Sequence, residues 1–190
     1  MKFFKPEWGN YNYINKKRTI EIIKTIIMFS VALIIYFGAF FYFKTNKNLF
    51  TVFAVLTILP ASKCAVSMIM FLRFKSLSDK EYELINDISN NGTTVYEMIF
   101  TTDKAAYLVK ACAVLNNTII MWAEYDEKKN KLLSKHIKAC LERDYIKGYS
   151  LKIFSNMNDF VNRLNEMNNN LSNEADSIKP VKNLFMSITL

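Results

Sequence analysis

Hydrophobic positions are distributed very unevenly along the chain. Residues 25–43, "TIIMFSVALIIYFGAFFYF", form a run of 19 without a charge. Five polar residues, "KTNKN" at 44–48, follow it, and Leu49–Leu72 then gives 24 residues with one charge, Lys63. At 1.5 Å rise per residue the first run is about 28 Å long, close to the ~30 Å hydrocarbon core of a bilayer. Both runs are apolar on every face, whereas the core helix of a soluble domain carries one apolar stripe. The pattern predicts a two-helix transmembrane hairpin, 25–43 and 49–72. No small-residue cleavage site follows the first run, so a cleaved leader is not expected.

After the hairpin the pattern changes to short mixed segments. Ser78 and Glu81 stand three apart as a capping box and open a helix to about Ser89. "NNG" at 90–92 ends it. Residues 95–101, "VYEMIFT", read as a strand. Residues 105–115 and 118–125 are two more apolar runs, joined by Asn116 and Asn117, which tolerate positive φ and predict a hairpin. Residues 126–145 form a helix with Leu133, Ile137, Cys140, Leu141 and Tyr145 on one face and lysines on the other. Gly148 stops it. Residues 150–154 are a short strand, and 158–168 a helix with Phe160, Val161, Leu164 and Met167 on one side. Residues 168–180 are polar and read as a linker; 181–190 are a last strand or a loose tail. The order is α-β-β-β-α-β-α, with a possible final β: an α+β domain of helices on a mainly antiparallel sheet. The chain thus divides into a basic, aromatic arm (1–24), the hairpin (25–72), the α+β domain (76–168) and a tail (169–190).

Charge follows the same division. The chain carries a formal +8, a value that by itself raises nucleic acid as a partner. Residues 1–80 hold 12 basic and 3 acidic side chains, and residues 81–190 hold 13 and 14. The excess surrounds the apolar runs, which is the pattern of a membrane topology signal, and no nucleic-acid partner is expected. Lys2, Lys5, Lys16, Lys17, Arg18 and Lys24 precede the first run, and Arg73, Lys75 and Lys80 follow the second. The loop has only Lys44 and Lys47. The positive-inside rule therefore places both termini in the cytoplasm of a bacterial cytoplasmic membrane. Trp8, Tyr11 and Tyr13 in the arm suit either the headgroup zone or the surface of the soluble domain. Cys64, Cys112 and Cys140 form no C-x-x-C pair and are expected to be reduced thiols, with neither disulfide nor zinc.

The strings "PEWGNYNYI" and "LPASKCAVSMIMFLRFK", with two spans and an α+β tail, resemble a group of two-span membrane proteins of anaerobic Gram-positive bacteria. Some of that group carry a label likening them to an O-linked N-acetylglucosamine transferase. The resemblance implies an architecture. About 110 soluble residues are too few for a nucleotide-sugar transferase domain, and no residue here supports that chemistry.

Lys63 is the sharpest candidate for function. A lysine at bilayer depth costs about 2.5–3.5 kcal/mol on insertion scales. In an antiparallel hairpin Lys63 lies level with Ser30. Pro60 removes the donor to the carbonyl of Leu56, so Lys63, Pro60 and Ser30 form a candidate intramembrane polar site. The alternative is a helix broken at Pro60, with Lys63 snorkelling to headgroups. Elsewhere the chemistry is sparse. The α-β-β-β-α-β order occurs in restriction-endonuclease-like nucleases, but the third strand ends "WAEYD" without their Glu-x-Lys, and Asp103 sits in a turn. His136 lies among lysines, and no phosphate-binding or nucleophile-elbow motif is present. The lysines at 128, 129, 131, 135 and 138 read as a solvated helix face, with anionic headgroups as the alternative. The expected function is a membrane-anchored interaction or sensing module without a cofactor, its partners the bilayer and either a second copy or another protein. An oligomeric conduit or membrane-perturbing effector using Lys63, and an enzyme of unrecognised type, are the other two classes.

Overall fold

The computed structural model describes residues 6–44, 49–89, 94–102, 105–115, 117–169 and 178–190. The loop at 45–48, "NNG" at 90–92, Asp103, Asn116 and most of the 168–180 linker lie outside the described residues, as do the first five positions. The chain forms two units, one containing Ile14–Lys75 and the other made of Glu7–Tyr13 with Ser76–Leu190.

The first unit is two long apolar helices, α1 (Tyr13–Phe43) and α2 (Leu49–Leu72). They are antiparallel. At one end Phe43 stacks on Phe50 with ring centroids 5.7 Å apart. At the other, the Arg18 guanidinium donates to the carbonyls of Phe71 (3.4 Å) and Phe74. A cation there meets the negative end of the α2 dipole and carbonyls that have no donor within the helix. Pro60 does not end α2, which continues helical on both sides of it. Thr57 and Ser62 donate their hydroxyls to the carbonyls of Phe53 and Ile58, each at 2.8 Å, so polar groups flanking the proline are satisfied one turn back.

From Thr25 to Ala39 on α1 and from Ala54 to Ala61 on α2 the buried positions are small, while nearer the Arg18 end Glu21 and Phe71 are buried as well. Thr25, Ala32 and Ala39 on α1 and Ala54 and Ala61 on α2 are buried, whereas large side chains at the same levels, such as Ile34, Phe41 and Leu59, are exposed. The three on α1 are seven apart, as are the two on α2, and one more step of seven back from Thr25 reaches Arg18. A seven-residue repeat keeps one seam facing the partner helix. Counting from the Arg18–Phe74 contact brings Ala32 level with Ala61, and Ala39 level with Ala54, within one residue.

The second unit is a mixed α+β domain around a four-stranded sheet in the order β1-β2-β3-β4. The strands are β1 (Thr94–Thr101), β2 (Ala106–Leu115), β3 (Thr118–Trp122) and β4 (Ser150–Phe154). β1, β2 and β3 form an antiparallel meander, and β4 returns parallel to β3. The β2–β3 turn is tight, pairing Leu115 with Thr118, and Asn117 sits at φ 58°, as a short hairpin demands. α3 (Asp79–Ile88) opens with the full capping box of Ser78 and Glu81.

Helices cover both faces of the sheet. α4 (Glu127–Arg143) and α6 (Ile178–Ile188) pack Leu133, Ile137, Leu141, Leu184 and Phe185 against Val109, Cys112, Ile119 and Met121. On the other face α3 and α5 (Met157–Asn169) bring Ile85, Phe160, Leu164 and Met167 onto Tyr96, Ala111, Ile120 and Trp122. α6 replaces the strand or loose tail expected at 181–190. Val181, Leu184, Phe185 and Ile188 repeat at helical spacing, and that period outweighs the β-branched content of the segment. Tyr145 also departs from expectation. α4 ends at Arg143, Tyr145 takes φ 57°, and its side chain is 85% exposed, so it leaves the apolar stripe.

The arm supplies part of this second unit. Of its two expected places, residues 7–13 take the one on the α+β domain. The Trp8 indole donates to Thr189 Oγ1 at 2.6 Å, Tyr11 stacks on Tyr82 at 4.2 Å, and the Gly9 carbonyl accepts from the Tyr96 amide at 2.9 Å. Gly9 has φ 77°, and a Cβ there would stand 2.6 Å from Val95, so no other residue fits without displacement. On the same strand Leu190 donates to the Ile99 carbonyl at 3.1 Å. Residues from both ends of the described chain therefore cover the β1 edge, and among the described residues β4 is the edge left open.

Candidate functional site

Lys63 and Ser30 do not meet. Lys63 follows Ala61 by two residues and Ser30 precedes Ala32 by two. At 100° per residue each is turned about 200° from the seam. Both are exposed, as is Pro60, and no hydrogen bond joins Lys63 to Ser30 or to the carbonyls of 56–60 among the described residues. Counting from the Arg18–Phe74 contact sets Lys63 level with Ser30 along the helix axes, with both residues turned off the seam. Lys63 points away from α1, towards whatever surrounds the helix pair.

A second charged locus lies inside the α+β domain, and sequence reading missed it. Glu97 and Lys110 are single charges in the middle of otherwise uncharged strands, and the β1–β2 register sets them opposite each other, between the pairs Tyr96↔Ala111 and Met98↔Val109. Alternation slips at this rung on both strands. Val95 shares a face with Met98 and Phe100, and Val109 with Cys112 and Val114. Glu97 adopts φ 53°, a left-handed conformation costly for a residue with a side chain. The slip turns both charges towards the α3 side. The Glu97 carboxylate, fully buried, accepts from the Leu77 amide at 2.8 Å and from the Ser76 hydroxyl. Lys110 pairs with Glu124 at 2.8 Å and Glu81 at 3.4 Å, and its ammonium lies 4.5 Å from the Trp122 ring centroid.

Electrostatics at this locus are satisfied. Burial pushes the Glu81 carboxyl up, but the Ser78 amide and hydroxyl and the Lys110 charge outweigh it and hold the group below its ordinary value. Tyr11 donates to Asp79, and that bond, with burial, pushes the phenol up to about 12. The cluster clamps the segment Ser76-Leu77-Ser78, where the α+β domain resumes after α2, onto β1 and β2. Its groups are each spent on a partner, which is the condition of a structural fastening.

The open site is at the other edge of the sheet. A cleft of about 890 Å³ runs along β4, floored by Thr118, Ile120, Ser150, Lys152 and Phe154 and walled by Asp159, Asn162, Arg163 and Glu166 of α5. Parallel pairing turns Ser150, Lys152 and Phe154 towards β3 through their backbones, as the bonds Ser150 N–H to Asn117 and Ala123 N–H to Phe154 mark. The N–H and C=O groups of Leu151 and Ile153 therefore face outward. Arg163 is paired with Glu166 at 2.8 Å, while the Lys152 ammonium lies 4.8 Å from the Phe154 ring centroid and makes no ion pair among the described residues.

The remaining candidates do not converge. His136 contacts Cys140 Sγ at 3.8 Å on the same helix, and Glu124 is held by Lys110. Cys112 and Cys140 are buried, free, and pushed up in pKa by burial. No group of three His, Cys, Asp or Glu side chains that could hold a metal occurs among the described residues. Fold and site define a class: a pair of long apolar helices joined to a small α+β domain with one open sheet edge. Comparison with family models, curated proteins and solved structures returned no match to this chain.

Proposed function

We propose that the protein is a membrane-anchored interaction module. α1 and α2 cross a bacterial cytoplasmic membrane as a hairpin, both termini are cytoplasmic, and the α+β domain docks an extended segment of a partner protein along β4. The membrane part is supported by two helices long and apolar enough to span and by the large apolar side chains exposed along both. The observation that carries the docking part is the β4 edge, with outward backbone groups beside a cleft of about 890 Å³. An added strand would take its affinity from that backbone and its specificity from the cleft. Lys152 at the middle of β4 opposes self-pairing, because antiparallel pairing of two copies centred there sets lysine against lysine. It favours an acidic position in the partner.

The test is selection of peptides from a random library on the reconstituted full chain. Selected peptides should bind the wild type and Ile153→Ala, and should fail on Ile153→Pro, which removes one outward N–H. Binding indifferent to the proline refutes edge docking. A reporter fused after Leu190 that is active only outside the membrane refutes the topology. A second reading is favoured by the outward direction of Lys63: an oligomeric conduit with the lysines around a shared axis. It requires ion flux through reconstituted vesicles that Lys63→Met abolishes.

A further inference from the structure

The basic charge of the α+β domain is gathered on one helix. α4 carries Lys128, Lys129, Lys131, Lys135, Lys138 and Arg143 against two acids, Glu127 and Glu142, although residues 81–190 as a whole carry 13 basic and 14 acidic side chains. Asn130, Leu133, Ile137, Cys140 and Leu141 face the core. At 100° per residue Lys128, Lys131, Leu132, Lys135 and Lys138 fall on the opposite face, within about 120° of arc. All five are exposed, and Leu132 stands among the lysines 57% exposed. A solvated face has no need of a leucine there. Lys131 is paired with Glu127 at 2.7 Å, whereas Lys128, Lys135 and Lys138 have no ion pair among the described residues. Between the lysines a cleft of about 490 Å³ is lined by Lys131, Ser134, Lys135, Lys138, Ala139 and Glu142.

We propose that this face of α4 rests on the anionic surface of the membrane that holds α1 and α2, with the lysines at headgroup phosphates and Leu132 entering the interface. Charge complementarity selects the occupant, since lysines around an apolar side chain match an anionic headgroup layer over hydrocarbon. Tethering makes a weak patch sufficient. The domain is covalently joined to its target surface, so docking is intramolecular and depends on effective concentration. The proposal rests on the membrane-anchored reading and gives the α+β domain a preferred orientation, α4 down.

The experiment uses the full chain in phosphatidylcholine vesicles with and without a third of phosphatidylglycerol. An environment-sensitive fluorescent amino acid replaces Leu132 by codon suppression, and lipids carrying a shallow nitroxide report its contact with the interface. Each lysine at an anionic surface raises the docked population roughly fivefold. Quenching should therefore be several-fold stronger in anionic vesicles and should fall back in high salt. The triple variant Lys128→Glu, Lys135→Glu, Lys138→Glu should lower the docked population by at least about tenfold, and the milder triple Gln variant by less. Lys147→Glu, off this helix, should have no such effect. Equal quenching in the two lipids, or quenching that survives both triple variants, overturns the proposal. Flotation with neutral vesicles reads the anchor separately: a chain that fails to float there defeats the membrane reading, and one that floats without lipid-dependent quenching defeats only the docking of α4.

Discussion

Replacing Glu97 with alanine removes the acceptor that ties the start of the α+β domain to its sheet. The Leu77 amide, 2.8 Å from Glu97 Oε1, would be left buried and without that partner, and the Ser76 hydroxyl would lose its bond. A hydrogen bond to a charged group contributes about 1.5–3 kcal/mol, and a buried donor left unmade costs about 1–3 kcal/mol. Removing the left-handed φ strain gains nothing in the alanine variant, because alanine is strained there too. The expected loss is about 3–5 kcal/mol for Glu97→Ala, and about 1–2 kcal/mol for Glu97→Gln, which keeps an oxygen in place without the charge. Urea unfolding of the full chain in detergent, followed by the fluorescence of the buried Trp122, measures both. A loss under about 1 kcal/mol for Glu97→Ala would mean that packing alone holds the segment, and the fastening role would be wrong.

Four further outcomes follow from the same structure. Glu81 has its carboxyl held below the ordinary 4.5, so its contribution is complete above that pH and is lost as pH falls through the lower folded value. Ser78→Ala should cost about 1 kcal/mol at neutral pH and a smaller amount at pH 3, read from urea midpoints. In the helix seam, Ala61→Leu should cost about 1–3 kcal/mol by overpacking, while Val66→Leu on the exposed side should cost nothing measurable, in SDS titration followed by circular dichroism. Phe185→Ala should cost about 3–5 kcal/mol, because the ring is fully buried against Phe100; a loss under about 1 kcal/mol would restore the reading of the last segment as a loose tail. Cys112 and Cys140 should resist alkylation in the folded chain and react only in denaturant, counted by mass spectrometry.

Local patterns were legible without the fold. One charge-free run and one with the single charge Lys63 gave two long helices, because length and composition alone decide whether a helix is apolar all round. The Ser78–Glu81 spacing gave the cap of α3, and Asn117 gave the β2–β3 turn, since both depend on residues a few positions apart. The apolar stripe of α4 was readable up to Leu141. Tyr145 was misassigned because periodicity carries no stop signal of its own, and the helix ends two residues earlier, at Arg143.

What lies around a helix or across a sheet was decided by tertiary packing. The sequence placed Lys63 level with Ser30, but direction depends on which face each helix gives to the other. The buried alanines at 32, 39, 54 and 61 settle that and turn both side chains outward. Glu97 and Lys110 were visible only as interruptions in two strands. Their rung is formed by residues thirteen apart in the chain, and only strand register brings it together and turns both charges to the α3 side. The arm at 7–13 and the last helix cover one sheet edge through contacts such as Trp8–Thr189, 181 positions apart. Such contacts leave no local pattern, because chain closure over that distance is determined by the whole core and not by the residues that happen to meet.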